Sequence, residues 1–514
     1  MDNKQRALLP FEKRPEDDYP DTKKDLQPWD YSDAGNAERF CFWLRVYTDS
    51  TGGRYLLHSD LLGWMVWDGH RWAESEHEAM KLAIRFTEAM KLAAHDFKRD
   101  CEDLMQEAEQ AQNEEAVKDA KKQLAIAEAF HKHAVKSRSA ARIKAILELA
   151  KPELHISADA FDAEAATLNT PAGLVDLRAG TFRPPDPTAL CTKMTTASRS
   201  SDGAELWTGF LQTVTCDDAE KLDYLQQVIG MALYGKVYEE GLFLAHGGGR
   251  NGKSTLFNAL SEVMGDYAGT VDSDIFTATY NGKKGFELYT LRGKRLIVAG
   301  EFAENRRLAS DALKRITSTD PIQAERKHHD AEMIVPSHTV FLFTNNLLRI
   351  SSRDDGTWRR VHYIPFNARI ADGETVSNYA SVLAEKAGGA ILTWAVEGAK
   401  RFAGNGYKLQ TPQSIQRGFN AYRRQEDWLQ RFIGDCCELP SSDAQKNLYR
   451  ARAGRLYETY QDWAKRNGET AVNGQQFHKL MEAAGFESRR PGGARIYVGI
   501  QNNYDLPGLN TSVG

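Results

Sequence analysis

A chain of 514 residues is too long for a single hydrophobic core, so two to four domains are expected. Its net charge of −5 excludes a nucleic-acid footprint spread over the whole surface and leaves only local basic patches for such a partner. No run approaches the roughly 20 apolar residues of a membrane span, the charged start Met1-Asp2-Asn3-Lys4-Gln5-Arg6 lacks a signal-peptide core, and the six cysteines have neither C-x-x-C nor zinc spacing; a soluble cytoplasmic protein with free thiols is expected.

Residues 1–30, with Pro10, Pro15, Pro20 and Pro28 among mixed charges, read as a flexible leader. Residues 31–200 read as an N-terminal domain of small strands and long helices. Tyr55–His58 and Gly63–Trp72 are short strands with an Asp68-Gly69 turn, and their tryptophans read as core before they read as a stacking platform for bases. Ala73 to Lys151 contains no Gly or Pro, which predicts two or three antiparallel helices with solvated charged faces. Lys132, His133, Lys136, Arg138, Arg142 and Lys144 make one end of them more basic. Leu168 to Gly180 reads as strand, turn, strand, and the Ser/Thr-rich Thr195 to Asp202 as a linker. A helical collar is expected over 201–240, where Phe210, Leu211, Val214, Val228 and Ile229 supply an apolar face from Trp207 to Tyr238.

The chain is organised around Gly247 to Ser254, which reads Gly-Gly-Gly-Arg-Asn-Gly-Lys-Ser and fits G-x-x-x-x-G-K-[ST]. The apolar run Gly241–Ala245 precedes it and helical spacing follows, which is the strand, loop, helix context that gives this motif meaning. Glycines let backbone N–H groups turn onto phosphate oxygens, and the helix N-terminus adds a partial positive charge worth roughly 0.3–1 kcal/mol. Gly247, Gly248, Gly249, Arg250, Asn251, Gly252, Lys253, Ser254 and Thr255 are the expected nucleotide cradle, with Lys253 reaching the phosphates and Ser254 holding Mg²⁺. Arg295 to Glu301 is a buried strand ending in a carboxylate, so Glu301 is the expected catalytic acid and metal partner, with Glu304 a second candidate. Thr339 to Asn346 brings Asn345 to the same edge, where it can orient water or sense the γ-phosphate. Arg359 and Arg360 follow, and an arginine supplied across a subunit boundary stabilises developing phosphate charge by several kcal/mol.

Taken in order, Gly-Gly-Gly-Arg-Asn-Gly-Lys-Ser, Arg-Leu-Ile-Val-Ala-Gly-Glu, Phe-Thr-Asn-Asn and Trp-Arg-Arg…Ile-Pro-Phe resemble superfamily 3 helicases, the helicase part of phage, plasmid and poxvirus primase-helicase proteins. The likeness runs from about Asp33 to Ile500. It implies an α/β protein with an AAA+-type phosphate-loop ATPase core over 241–405, using ATP with Mg²⁺, assembling as a ring, usually a homo-hexamer, and moving on single-stranded or forked DNA. It also implies a role for Glu325–Asp330, which Ile322 and Met333-Ile334-Val335 flank as a β-hairpin with a basic tip. Lys327 and His328 match the family's DNA-gripping pair, Arg326 stands beside them, and Lys314 matches a lysine that approaches a neighbour's nucleotide. Three departures stand out. Phe302 follows Glu301 where many members have a second acid; the two arginines leave the finger open between Arg359 and Arg360; and no paired acidic clusters or zinc ribbon precede residue 240. A helicase without primase activity of its own, served by a separate primase or polymerase, is expected, in the host cytoplasm if a phage encodes it.

Residues 412–500 read as a winged-helix-like DNA-binding domain: helical spacing over Trp428–Cys437, Leu448–Asn467 and Gln475–Ala484, then a strand over Arg495–Ile500 after a Pro-Gly-Gly turn. Residues 445 to 497 hold ten Lys/Arg against five Asp/Glu, and Arg489, Arg490 and Arg495 flank the expected wing as DNA contacts. Residues 501–514 read as a tail. Two other classes stay open: a nucleotide-gated replication initiator without processive unwinding, and an AAA+ ATPase acting on protein.

Overall fold

The computed structural model describes residues 30–51, 55–277, 288–301, 308–325, 331–348, 350, 355–371, 373, 376–467 and 471–503. Five runs form one parallel sheet in the order Val361–Pro365, Leu242–His246, Thr339–Thr344, Leu296–Ala299, Ala268–Val271. The three central strands are buried almost throughout, which is why they read as continuous apolar runs and not as alternating ones. Because all five run the same way, their carboxyl ends share one edge, the edge where open parallel sheets bind ligands.

Each sheet face has its own core. Phe243, Ala245, Val298, Phe341 and Ile364 pack under helices Ala204–Thr215, Ala219–Ala232, Lys253–Met264 and Tyr379–Gly404. Their sequence neighbours Leu242, Leu244, Ile297, Val340 and Leu342 face the other way, against helix Ser310–Thr317 and the hairpin Ile322–Glu325/Ala331–Ile334. The collar read as one apolar span is two helices, because Cys216 and Asp217 both take left-handed backbone (φ 56° and 55°). The residue-type signal for that break is Asp218, whose side chain caps the second helix by accepting from Lys221 N–H (3.0 Å). Strands Thr167–Thr170 and Gly173–Asp176 add Leu168 and Val175 to the same core. The stretch read as a linker is bonded to it too, through Thr196 N–H to the Val263 carbonyl (3.0 Å) and Ser200 N–H to that of Gly389 (3.2 Å).

The described N-terminal part carries helix Asp33–Thr51, a three-stranded antiparallel sheet (Leu56–Ser59, Gly63–Trp67, Trp72–Glu74) and helices Glu76–Gln110, Glu114–Ser137 and Ala140–Ala150. Trp64, Trp67 and Trp72 are buried core. His133 leaves the basic end: it is buried against the Asn36 side chain (2.9 Å), and burial together with Arg39 and Arg142 pushes its pKa down to about 4.

At the C-terminal end, helices Trp428–Cys436, Ala453–Arg466 and Gly474–Ala483 pack on an antiparallel sheet ordered Arg450–Arg452, Ile496–Val498, Glu487–Arg489. The helical reading of Leu448–Asn467 is corrected over its first turn, where Arg450–Arg452 forms a strand by pairing with Ile496–Val498. Helix Gln413–Glu426, invisible after Pro412 in the sequence pattern, joins this part to the sheet by packing Tyr422 against Trp358, ring centroids 5.3 Å apart. Among the described residues no helix is long and apolar enough to cross a membrane.

Candidate functional site

The loop between strand Leu242–His246 and helix Lys253–Met264 is shaped by two glycines that no other residue could replace. A Cβ on Gly247 would lie 2.1 Å from the Phe366 carbonyl oxygen and 2.3 Å from Asn251 Nδ2. Gly252 enters the helix at φ +77°, with Val214 Cγ1 only 2.4 Å from where its Cβ would be. Arg250, a non-glycine residue, is held left-handed at φ 47° while its carbonyl accepts a bond from Ile370 N–H (2.9 Å).

This loop buries Lys253 to 4% exposure. Its ammonium donates to the Gly247 carbonyl (2.8 Å), to Asn251 Oδ1 (2.8 Å) and to Asn345 Oδ1 (3.1 Å). All three partners are neutral oxygens, so the charge has no contacting counter-ion, and burial lowers the lysine pKa to about 8 against a raising effect from Glu301. Asn345 reaches on with its Nδ2 to Glu301 Oε1 (3.4 Å), so Lys253, Asn345 and Glu301 form one chain of contacts across three strand ends. Glu301 is exposed, with its backbone carbonyl fixed by Ser273 Oγ (2.9 Å).

A cleft of about 610 Å³ opens over this chain. Lys253, Ser254, Glu301 and Asn345 supply polar lining, and Leu206, Phe210, Ile370, Val376 and Tyr379 an apolar wall. The polar part fits an anion, because a buried cation and loop amides meet there without an acid in contact. The Ser254 hydroxyl and Glu301 carboxylate fit a hard divalent cation beside it. The apolar wall was missed from the sequence. It comes from the collar helix and from the chain after Phe366, segments far from the loop in sequence and without a motif of their own.

The two arginines part company. Both stand at the amino end of strand Val361–Pro365, the edge opposite the loop. Arg360 is bound within its own chain, to the Glu240 carboxylate (2.9 Å) and carbonyl (3.1 Å). Bonds from Thr319 and from Arg360 hold the Glu240 carboxyl below its usual range. Arg359 is exposed and makes no ion pair among the described residues. Glu304, Arg326, Lys327 and His328 lie outside the described residues; the hairpin that bears the last three is described up to the pair Glu325 and Ala331. Lys314 is half-buried on helix Ser310–Thr317. At the C-terminal end Arg489 is taken by Glu487 (2.8 and 3.0 Å) and Asn447 (3.3 Å), whereas Arg490 and Arg495 line a separate cleft.

Residues 37–216 match the family described as D5 N terminal like, and residues 245–360 a family of unknown function, DUF5906. The chain is 30% identical over 201 residues to a protein of Acanthamoeba polyphaga mimivirus named a putative helicase, covering 38% of this chain and 21% of that one. It is 25% identical over 146 residues to a Sputnik virophage protein named likewise (27% and 18%), and 24% identical over 291 residues to one named a putative primase in African swine fever virus (51% and 29%). The matched stretches therefore span less than a third of these relatives' own length. A solved structure of the NrS-1 C-terminal region in its apo form aligns over 59% of this chain and 77% of that one at 12% identity, with a TM-score of 0.38, a likeness too distant to define the fold. In these stretches the chain is similar to phage and viral primase-helicase proteins.

Proposed function

We propose, starting from that similarity, that the protein is an ATP-driven DNA helicase of superfamily 3 that works as a ring during replication of a phage or plasmid-like element. The observation that carries the reading is the contact chain Lys253–Asn345–Glu301 beneath a cleft with an anion cradle and an apolar wall. The cradle suits the phosphates of ATP and the wall its base. Lys253 would exchange its carbonyl and amide partners for phosphate oxygens, and Glu301 and Asn345 would orient and deprotonate the attacking water. Mg²⁺, held by Ser254 and Glu301, would neutralise charge on the transferring phosphate. Arg359, exposed at the opposite sheet edge, is the candidate finger for a neighbour's site, and Arg360 its brace. On this reading 241–405 is the motor, 31–200 and 201–240 its N-terminal domain and collar, and Lys327 and His328 its grip on one strand.

The test compares wild type with Lys253→Ala for ATP hydrolysis, with and without single-stranded DNA, and for strand displacement from a fork. Stimulated hydrolysis and displacement in wild type, both lost in the variant, are expected. Binding without displacement would move the assignment to a replication initiator. Hydrolysis indifferent to single-stranded DNA would move it to an ATPase acting on protein.

A further inference from the structure

A second cleft, of about 820 Å³, lies at the C-terminal end between helices Ala453–Arg466 and Gly474–Ala483 and the turn before strand Ile496–Val498. Arg452, Arg455, Lys479, Arg490 and Arg495 line it, from four separate elements, against only Glu458 and Glu482. Arg455 lies 3.4 Å from Glu458, and the other four cations make no ion pair among the described residues. Glu482 is occupied by the Ser488 hydroxyl (2.8 Å). Like charges brought to one concavity without neutralisation repel one another, and an anionic ligand removes that cost.

We infer that this cleft is a binding site for the phosphodiester backbone of double-stranded DNA. Its floor is small, with Ala453, Gly454 and Ala494 in the lining and open space above Gly454, so an extended backbone can approach closely. Guanidinium forks match phosphate oxygens two at a time. The lining contains no Phe, Tyr or Trp, and its one aromatic ring, His478, is held by the Tyr497 hydroxyl, so it offers no row of rings of the sort that single strands stack on, and duplex is the preferred form. The cleft also redraws the set of arginines near the turn. Arg489, adjacent to Arg490 in sequence, is committed to Glu487 and Asn447 and is not part of the lining. Arg452 and Lys479, distant in sequence, are.

The site is independent of the motor, so it is tested in full-length Lys253→Ala protein as well as in wild type. Binding of a fluorescent duplex of arbitrary sequence is followed by anisotropy across a salt series, for Arg490→Glu/Arg495→Glu, for Arg452→Glu/Lys479→Glu and for Arg489→Glu. Each double variant is expected to lose about tenfold or more in duplex affinity and to flatten the salt slope by about two, with single-stranded DNA less affected. Arg489→Glu is expected to stay within about twofold. Unchanged duplex affinity and slope in both double variants, at unchanged thermal midpoints, would overturn the proposal. So would polyglutamate competing as well as duplex, which would make the cleft a site for an acidic protein. Should either pair fail to fold, the milder Arg490→Gln/Arg495→Gln is expected to flatten the slope in the same direction, and no change there would also overturn it.

Discussion

Lys253 and Arg295 are both cations buried beside the same sheet, 4% and 3% exposed, and neither touches a carboxylate. Arg295 donates to the carbonyls of Leu233 (2.6 Å) and Thr167 (2.8 Å) and lies on the Tyr267 ring, 4.4 Å from its centroid, which ties the collar and an N-terminal strand to the start of strand Leu296–Ala299. Lys253 has a comparable set of neutral partners but borders a cleft, and its pKa has fallen. A guanidinium cannot escape burial by deprotonating and is fixed in place by carbonyls, whereas an ammonium can be left poised. Burial of a charge is therefore not the mark of a site; burial beside open space is.

The contrast can be broken most sharply by Lys253→Ala, expected to lower turnover by about 10³-fold or more while leaving the thermal midpoint nearly unchanged. Loss of folding instead of turnover would place Lys253 with Arg295. At the opposite sheet edge Arg359→Ala is expected to cost about 10³-fold in turnover with little change in melting. Arg360→Ala, which strips Glu240 of its ion-pair partner and leaves it only Thr319, is expected to lower stability by about 1–2 kcal/mol. Comparable loss of turnover from both would show that brace and finger are not separable. Arg295→Met leaves two buried carbonyls without a donor and is expected to lower unfolding free energy by about 3 kcal/mol in chemical denaturation, with ATP hydrolysis retained at low temperature.

The smallest effect concerns protons. The pKa of Lys253 is lowered from 10.5 to about 8, so between those values the unfolded chain holds more protons and stability rises with pH; the burial penalty is complete below about 8. A triphosphate in contact restores the proton. Nucleotide affinity is then expected to fall as pH rises through 8, with uptake of about half a proton at that pH, measured by calorimetry in two buffers of different ionisation heat. Uptake unchanged in Lys253→Ala would assign the proton to another group.

Much of the parallel sheet and its glycine loop was legible because parallel strands buried on both faces must be continuously apolar, and because the Gly247 and Gly252 positions admit nothing larger. Glu301 and Asn345 were legible for a related reason: Asn345 follows directly after such a strand, and Glu301 follows another with only Gly300 between. What could not be read depends on contacts between distant segments. Arg450–Arg452 is a strand only because Ile496–Val498 pairs with it. Arg359 and Arg360 are adjacent and chemically alike, and only Glu240, 120 residues away, separates their surroundings. Nothing local marks Arg295 as a tie, or Phe210 and Tyr379 as one wall.

The hairpin Ile322–Glu325/Ala331–Ile334 carries a mechanical consequence. Ile322, Ala324 and Ile334 are packed in the same cluster as Leu244, Ile297 and Leu342 of the sheet and Leu313 of the neighbouring helix. Packed interiors have low compressibility and pass strain on instead of absorbing it. The hairpin therefore has no hinge at its root. A load placed on its two described strands is borne by the sheet that ends beside Glu301 and Asn345, and strands and sheet move as one body.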